Sequence, residues 1–183
     1  NQLEMWQADT FDTERIDLEL GWAASLGMNT MRVFLHDLLW AHDAVAFKQR
    51  IDTYLDIASR HGIRTMLVLF DSCWDPRPAL GRQRAPTPGV HNSGWVQSPG
   101  AAQLSNPASY PALRAYVEDI VTSYGNDERV WCWDLWNEPD NQGGGMGYYQ
   151  QFEANENIAL VAQLLPQVFG WAQACAPSQP LTS

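Results

Sequence analysis

At 183 residues, 45% hydrophobic and 17% charged, the chain has the size and composition of a globular domain with a sizeable core, which excludes disorder throughout. Twenty-one acidic residues against eleven basic ones give a net charge of −10, with Lys48 the only lysine. No basic stripe is available to neutralise phosphates, so nucleic acid is excluded as a partner, whereas nine Trp supply flat apolar faces suited to a neutral ring. Cys73, Cys132 and Cys175 are too few and too scattered for a disulfide scaffold or a metal-binding cluster. No run approaches the ~20 apolar residues of a membrane span. The first residue is Asn1 and not Met, which leaves secretion open.

The elements alternate helix-period stretches with short apolar runs, the pattern of βα units with parallel strands, and no boundary divides residues 1–183. A first helix is predicted from Asp12, an N-cap residue, through Ile16, Leu20, Ala23 and Leu26, ending at Gly27. Asn29 to Asp37 then reads as a strand that turns polar at its C-terminal end. A second helix buries Phe47, Ile51, Tyr54, Leu55 and Ala58 and stops at Gly62, and Ile63 to Asp71 form the next strand. The third helix presents Leu113, Val117, Ile120, Val121 and Tyr124 after Asn106-Pro107, and the strand Val130 to Trp136 follows. Ile158, Val161, Leu165, Val168 and Ala172 continue a helical period across Pro166, where a kink or a new first turn is expected. Pro180 to Ser183 opens one more strand.

Two connections are long. The Pro- and Gly-rich segment from Ser72 to Asn106 runs about thirty-five residues, against a median connection of ~4–6, and contains Trp74, His91 and Trp95. The second, from Asp140 to Asn155, carries Gly143, Gly144, Gly145, Tyr148 and Tyr149. Both leave the C-terminal end of a strand, the face on which (β/α)₈ barrels build active sites.

The chemistry concentrates at Trp136-Asn137-Glu138-Pro139. Pro139 removes a ladder donor and so fixes Glu138 at a strand tip. A carboxyl group there, flanked by aromatic surface, can be desolvated enough to act as a general acid near neutral pH, and the Asn137 amide can donate a directional, uncharged hydrogen bond to a hydroxyl.

Asp134-Leu135-Trp136-Asn137-Glu138-Pro139 resembles the fourth-strand motif of clan A glycoside hydrolases, especially cellulase family five, and Asn29-Thr30-Met31-Arg32 resembles that clan's second-strand motif. The resemblance implies an α/β chain forming part of a TIM (β/α)₈ barrel, roughly the second strand to the start of the fifth, as a single incomplete catalytic domain. It implies a retaining hydrolase of β-linked glycans or β-glycosides that needs no cofactor, with a secreted or periplasmic location. Glu138 is then the acid/base, Asn137 binds the 2-hydroxyl next to the scissile bond, and Arg32 orients the nucleophile. In that clan the nucleophile comes from the seventh strand, outside this chain. A competing reading of Arg32 is an ion pair with Asp134 inside the barrel, because an arginine in a strand needs a partner.

Alternation along the strand puts His36 on the same face as Arg32, near the rim. His36, Trp40, Asp71, Trp74, His91 and Trp95 are candidate substrate-binding residues, since sugar sites combine stacking aromatics with hydroxyl-accepting carboxylates. Trp6, in the loop that the resemblance puts after the first strand, joins them. Asp37 and Asp71 are the only stand-ins for the missing nucleophile. His36, Asp37 and Asp71 all fall at strand ends but include no close-spaced ligand pair, so no metal is assigned. No phosphate-binding glycine loop is present either. Half a barrel exposes strand edges, which predicts a homodimer or pairing with a complementing half-barrel. The alternatives to an enzyme are a non-catalytic carbohydrate-binding module or a half-barrel that only self-assembles.

Overall fold

The computed structural model describes residues 1–141 and 156–183. Four parallel strands, β1 (Thr30–Phe34), β2 (Arg64–Val68), β3 (Val130–Asp134) and β4 (Leu181–Thr182), lie side by side in sequence order. Between them run α3 (Asp37–Arg60), α5 (Tyr110–Tyr124) and α6 (Glu156–Ala174), with the single turn α4 (Ala101–Leu104) in the loop ahead of α5; α1 (Gln2–Trp6) and α2 (Thr13–Ser25) precede the first strand. Consecutive helices pack on one another, α2 on α3, α3 on α5 and α5 on α6. The parallel βα order is what the alternation of patterns predicts, and strands in sequence order with a helical layer form the arc of a βα barrel that the resemblance implies.

Register explains which residues meet. Val33, Leu67, Trp133 and Leu181 form one row across the sheet and join the helix side chains in a single core with Phe47, Ile51, Val117 and Val161. Phe34, Val68, Asp134 and Thr182 form the next row, whose side chains alternate to the other face, as does Arg32 one step earlier. That face is the inner wall of the arc.

The helix caps follow the sequence. Asp12 accepts from the Arg15 N–H, and Gly27 and Gly62 turn the chain into strands at φ +83° and +70°, where a Cβ would be strained. Three expectations are corrected, and one break was not foreseen. The strand after Asn29 ends at Phe34, because the His36 ring accepts from the Leu38 N–H and caps a helix beginning at Asp37. That helix breaks at Asp43, whose carboxylate accepts from the Ala46 N–H at 2.9 Å and restarts it ahead of Phe47. Leu26 is 76% exposed, beyond the core stripe of α2. In α6 the buried stripe uses Leu164 and not Leu165. Pro166 lies within α6, and the carbonyl it leaves unpaired belongs to Ala162 on the exposed face, where water can serve it.

Candidate active site

The C-terminal ends of β2 and β3 are extended by a bridge between Asp71 and Asn137. The Asn137 N–H donates to the Phe70 carbonyl at 2.8 Å, and the Ser72 N–H donates to the Asn137 carbonyl at 3.2 Å. On its other side Asp71 pairs with Ser98 of the long loop, N–H to carbonyl at 2.5 Å and back at 3.1 Å. Asp71 is thereby pinned from both sides and is only 1% exposed.

A line of polar side chains crosses this rim. Arg32 Nε donates to Asp134 Oδ2 at 2.9 Å, its Nη2 bonds the same oxygen, and Nη2 also donates to Asn137 Oδ1 at 2.7 Å. Asn137 Nδ2 in turn donates to Asp71 Oδ1 at 2.8 Å, and the Cys73 N–H donates to that oxygen at 3.0 Å. Beneath it, Trp136 Nε1 donates to Ser72 Oγ at 2.7 Å, locking the fully buried indole. The Arg32–Asp134 ion pair weighed from sequence is therefore present, and the same guanidinium holds Asn137.

Glu138 stands at the tip with φ +47°, a left-handed conformation rare for a side-chain-bearing residue. Asn141 Nδ2 donates to Glu138 Oε2 at 2.9 Å and also lies 3.4 Å from Cys73 Sγ, so Cys73 joins the two amides to the carboxylates. The desolvation expected at Glu138 is not seen: the side chain is exposed. Burial acts on its neighbours instead. It pushes the Asp71 carboxyl up to about 6, opposed by the Asn137 hydrogen bond and assisted by the charge of Glu138, and pushes the Cys73 thiol far above its usual range.

Trp74 follows with φ +78°, half-buried, its ring edge-on to that of His91 at 5.4 Å. Trp95 packs edge-on to Phe34 at 5.2 Å, and the Arg32 guanidinium lies 5.0 Å from the Phe34 ring. Arg32, Phe34 and Trp95 form one wall of an open hollow of about 580 Å³, closed on the other side by α1 and α2 through Met5 and Ile16.

The structure thus brings together Glu138, Asn137, Arg32 and Asp71, with Trp74, His91 and Trp95 on the adjoining loop. Three candidates are corrected. Trp6 is fully buried against Phe11, Phe47 and Tyr54, its Nε1 donating to the Phe34 carbonyl at 2.8 Å. Trp40 bridges α3 and α5, donating to Asp119 at 2.7 Å and packing on Tyr116. His36 is fully buried; its Nδ1 accepts from Leu38, so its Nε2–H donates to the Gln97 carbonyl at 3.0 Å, and the ring anchors the long loop. Asp37 is also buried and accepts from Ser98 Oγ at 2.7 Å, so neither it nor Asp71 presents a carboxylate to a substrate. The glycines and tyrosines of 143–149 lie outside the described residues. Sequence reasoning missed Cys73, Asn141, Ser72 and Ser98; nearness in the chain to Asp71 or Asn137 hinted at the first three, and nothing local hinted at Ser98.

No protein-family profile matches the chain. Mannan endo-1,4-beta-mannosidase A of Emericella nidulans is 30% identical over 91 residues, 50% of this chain and 21% of that protein. A probable mannan endo-1,4-beta-mannosidase A of Aspergillus flavus is 26% identical over 98 residues, 52% of this chain and 22% of its own length. The matched stretch therefore spans about a fifth of each curated relative. Among solved structures, the endo-1,4-beta-mannanase of Rhizomucor miehei superposes with a TM-score of 0.65 at 13% identity, over 98% of this chain and 53% of the enzyme. The beta-mannanase of the blue mussel Mytilus edulis gives 0.64 at 12% identity, over 99% and 54%. Across the arc of the barrel that it spans, the chain has the fold of a clan A glycoside hydrolase of the family-five type.

Proposed function

We propose that the chain carries the acid/base half of a retaining β-glycan hydrolase, with β-1,4-linked mannan as its substrate class. The observation that carries this reading is the line Arg32–Asn137–Asp71, which fixes an amide beside Glu138 on the strand-end rim of a barrel arc. The mannosidase relatives support the choice of mannan over other β-glycans.

In this reading Glu138 protonates the glycosidic oxygen as the bond to the anomeric carbon breaks, then takes a proton from the water that releases the sugar. Its exposure suits a group that must reach an incoming oxygen. Asn137 donates to the hydroxyl next to the scissile bond. Arg32 steers the attacking carboxylate, which needs to stand ~5–5.5 Å from Glu138. With Asp37 and Asp71 buried, we assign that carboxylate to residues outside this chain. Trp74 and Trp95 serve as stacking faces and His91 braces Trp74. The outer edges of β1 and β4 have no strand partner among the described residues, and Leu18 and Trp22 of α2 are 52% and 59% exposed; we assign to these edges pairing with a complementing half-barrel, in the simplest case a second copy.

The test is hydrolysis of manno-oligosaccharides and aryl β-mannosides by the chain and by Glu138→Gln, with sedimentation velocity on the same samples. With the attacking carboxylate outside this chain, manno-oligosaccharide binding without turnover in either protein supports the reading; turnover lost in the variant, with retention at the anomeric carbon, keeps Glu138 as the acid/base and overturns the assignment of that carboxylate to residues outside the chain. Turnover unchanged by the substitution refutes Glu138 as the acid/base, and a monomer at micromolar concentration refutes the pairing.

A further inference from the structure

We infer that Asp71 is a positioning residue whose carboxylate, opposite Arg32, sets the orientation of the Asn137 amide and reserves one of its N–H groups for a ligand hydroxyl. The ligand part of this statement rests on the function proposed above; the orientation part does not.

The amide offers one acceptor oxygen and two N–H donors. Its oxygen takes the Arg32 guanidinium at 2.7 Å, and one N–H goes to Asp71 Oδ1 at 2.8 Å. What remains on Nδ2 faces Cys73 Sγ at 3.7 Å, a weak acceptor at long range. Turning the amide by half a revolution would set NH₂ against guanidinium and oxygen against carboxylate, two donors on one side and two acceptors on the other. The charges on both flanks therefore decide the orientation, and the N–H resting on sulfur is the one a hydroxyl can take over at least cost.

A second observation singles out Asp71 as the side of this clamp that can be released. Among the described residues its Oδ2 is buried without a hydrogen-bond partner, while its backbone is held on both sides by Asn137 and Ser98. A carboxylate with one desolvated oxygen gives up its charge readily, in keeping with the burial that pushes this carboxyl up to about 6. Among the described residues, the charged and titratable groups around it are Glu138 and Cys73 directly, Arg32 and Asp134 through Asn137, and Asp37 with His36 beyond Ser98. Arg32 stays charged, so protonation of Asp71 weakens only one flank and leaves the amide held from a single side.

The experiment follows the side-chain ¹⁵N–¹H signals of Asn137, assigned with Asn137→Ala, in the unaltered chain from pH 4.5 to 8, then in Asp71→Asn and Glu138→Gln, each checked for native near-ultraviolet dichroism. The two Asn137 N–H shifts are expected to titrate together with a midpoint near 6, to stop titrating in Asp71→Asn, and to keep titrating at a lower midpoint in Glu138→Gln. Flat Asn137 signals in the unaltered chain, a measurement needing no variant, or an unchanged midpoint in Asp71→Asn overturns the inference. Mannotetraose added at pH 7 is expected to shift one of the two N–H signals selectively. If the pH response is present and the sugar response absent, the orientation role stands and the assignment to a glycan hydroxyl is overturned.

Discussion

Replacing Arg32 by Met retains most of the stem and removes the charge. It strands Asp134, whose side chain is 5% exposed, and takes the guanidinium from Asn137 Oδ1. Breaking a fully buried pair costs about 3–5 kcal/mol, because a desolvated charge is left alone, whereas exposed pairs are worth about 0–1 kcal/mol. Arg32 itself is 42% exposed, which lowers the expectation, while the lost bond to Asn137 raises it; about 2–3 kcal/mol is the balance. Urea unfolding at pH 7, read by tryptophan fluorescence, gives the value for Arg32→Met, for Asp134→Asn and for the double variant. Once Asp134 is neutral the arginine has less to hold, so the cycle should show a coupling of about 1.5 kcal/mol or more. The exposed i, i+4 pair of Arg114 and Glu118 is the control, and Arg114→Met should leave the midpoint where it is. An Arg32→Met cost below about 1 kcal/mol, or additive single effects, would refute the view that this ion pair holds the inner wall together.

Three further outcomes follow from the geometry. The Asp71 carboxyl is raised by burial from 3.8 to about 6, so the folded state binds the extra proton: its contribution is complete below about pH 4 and is lost as pH rises through 6, a swing of about 3 kcal/mol that Asp71→Asn should remove from the stability–pH curve. A curve of the same shape in that variant would contradict the assignment. Trp6→Ala should cost about 3–5 kcal/mol in urea unfolding, since a fully buried indole touching Phe11, Phe47 and Tyr54 leaves a cavity; a cost near 1 kcal/mol would mean α1 is not part of the core. Trp40→Phe loses the bond to Asp119 and should cost about 1 kcal/mol without altering manno-oligosaccharide affinity, measured by calorimetry; a fall in affinity would restore Trp40 to the sugar site.

Much of the arc was legible because its signals are local. The apolar stripes of α3 and α5 and the runs of β1 to β3 recur at periods that one stretch of sequence displays, and Asn137-Glu138-Pro139 announces a strand tip by its own composition. The aromatic residues were not legible in the same way. Trp6, Trp40 and Trp95 are one residue type with three fates, decided by distant partners: the Phe34 carbonyl 28 residues from Trp6, Asp119 79 residues from Trp40, and the ring of Phe34 beneath Trp95. His36 shared the strand's alternation, but the chain had already turned into a helix and used its ring as a cap. The role of Cys73 was hidden because it comes from the path of the long loop, tied down by His36 and Asp71, and no spacing rule encodes that path. Asp71 was recognised as a strand-end carboxylate, but its burial came from Ser98, 27 positions away in the same loop.

The proposed β-mannan site lies on the rim formed by Arg32, Asn137 and Glu138 and continues onto Trp74 and Trp95. The most direct measurement is a titration of the ¹⁵N-labelled chain with mannotetraose, following the Asn137 side-chain amide and the Trp74 and Trp95 indole N–H signals, with cellotetraose alongside. Saturable shifts are expected at all three positions with mannotetraose, weaker ones with cellotetraose, and none at the buried Trp6 and Trp133 indoles; shifts confined to other residues, or no response to either sugar at millimolar concentration, would contradict a mannan site on this rim.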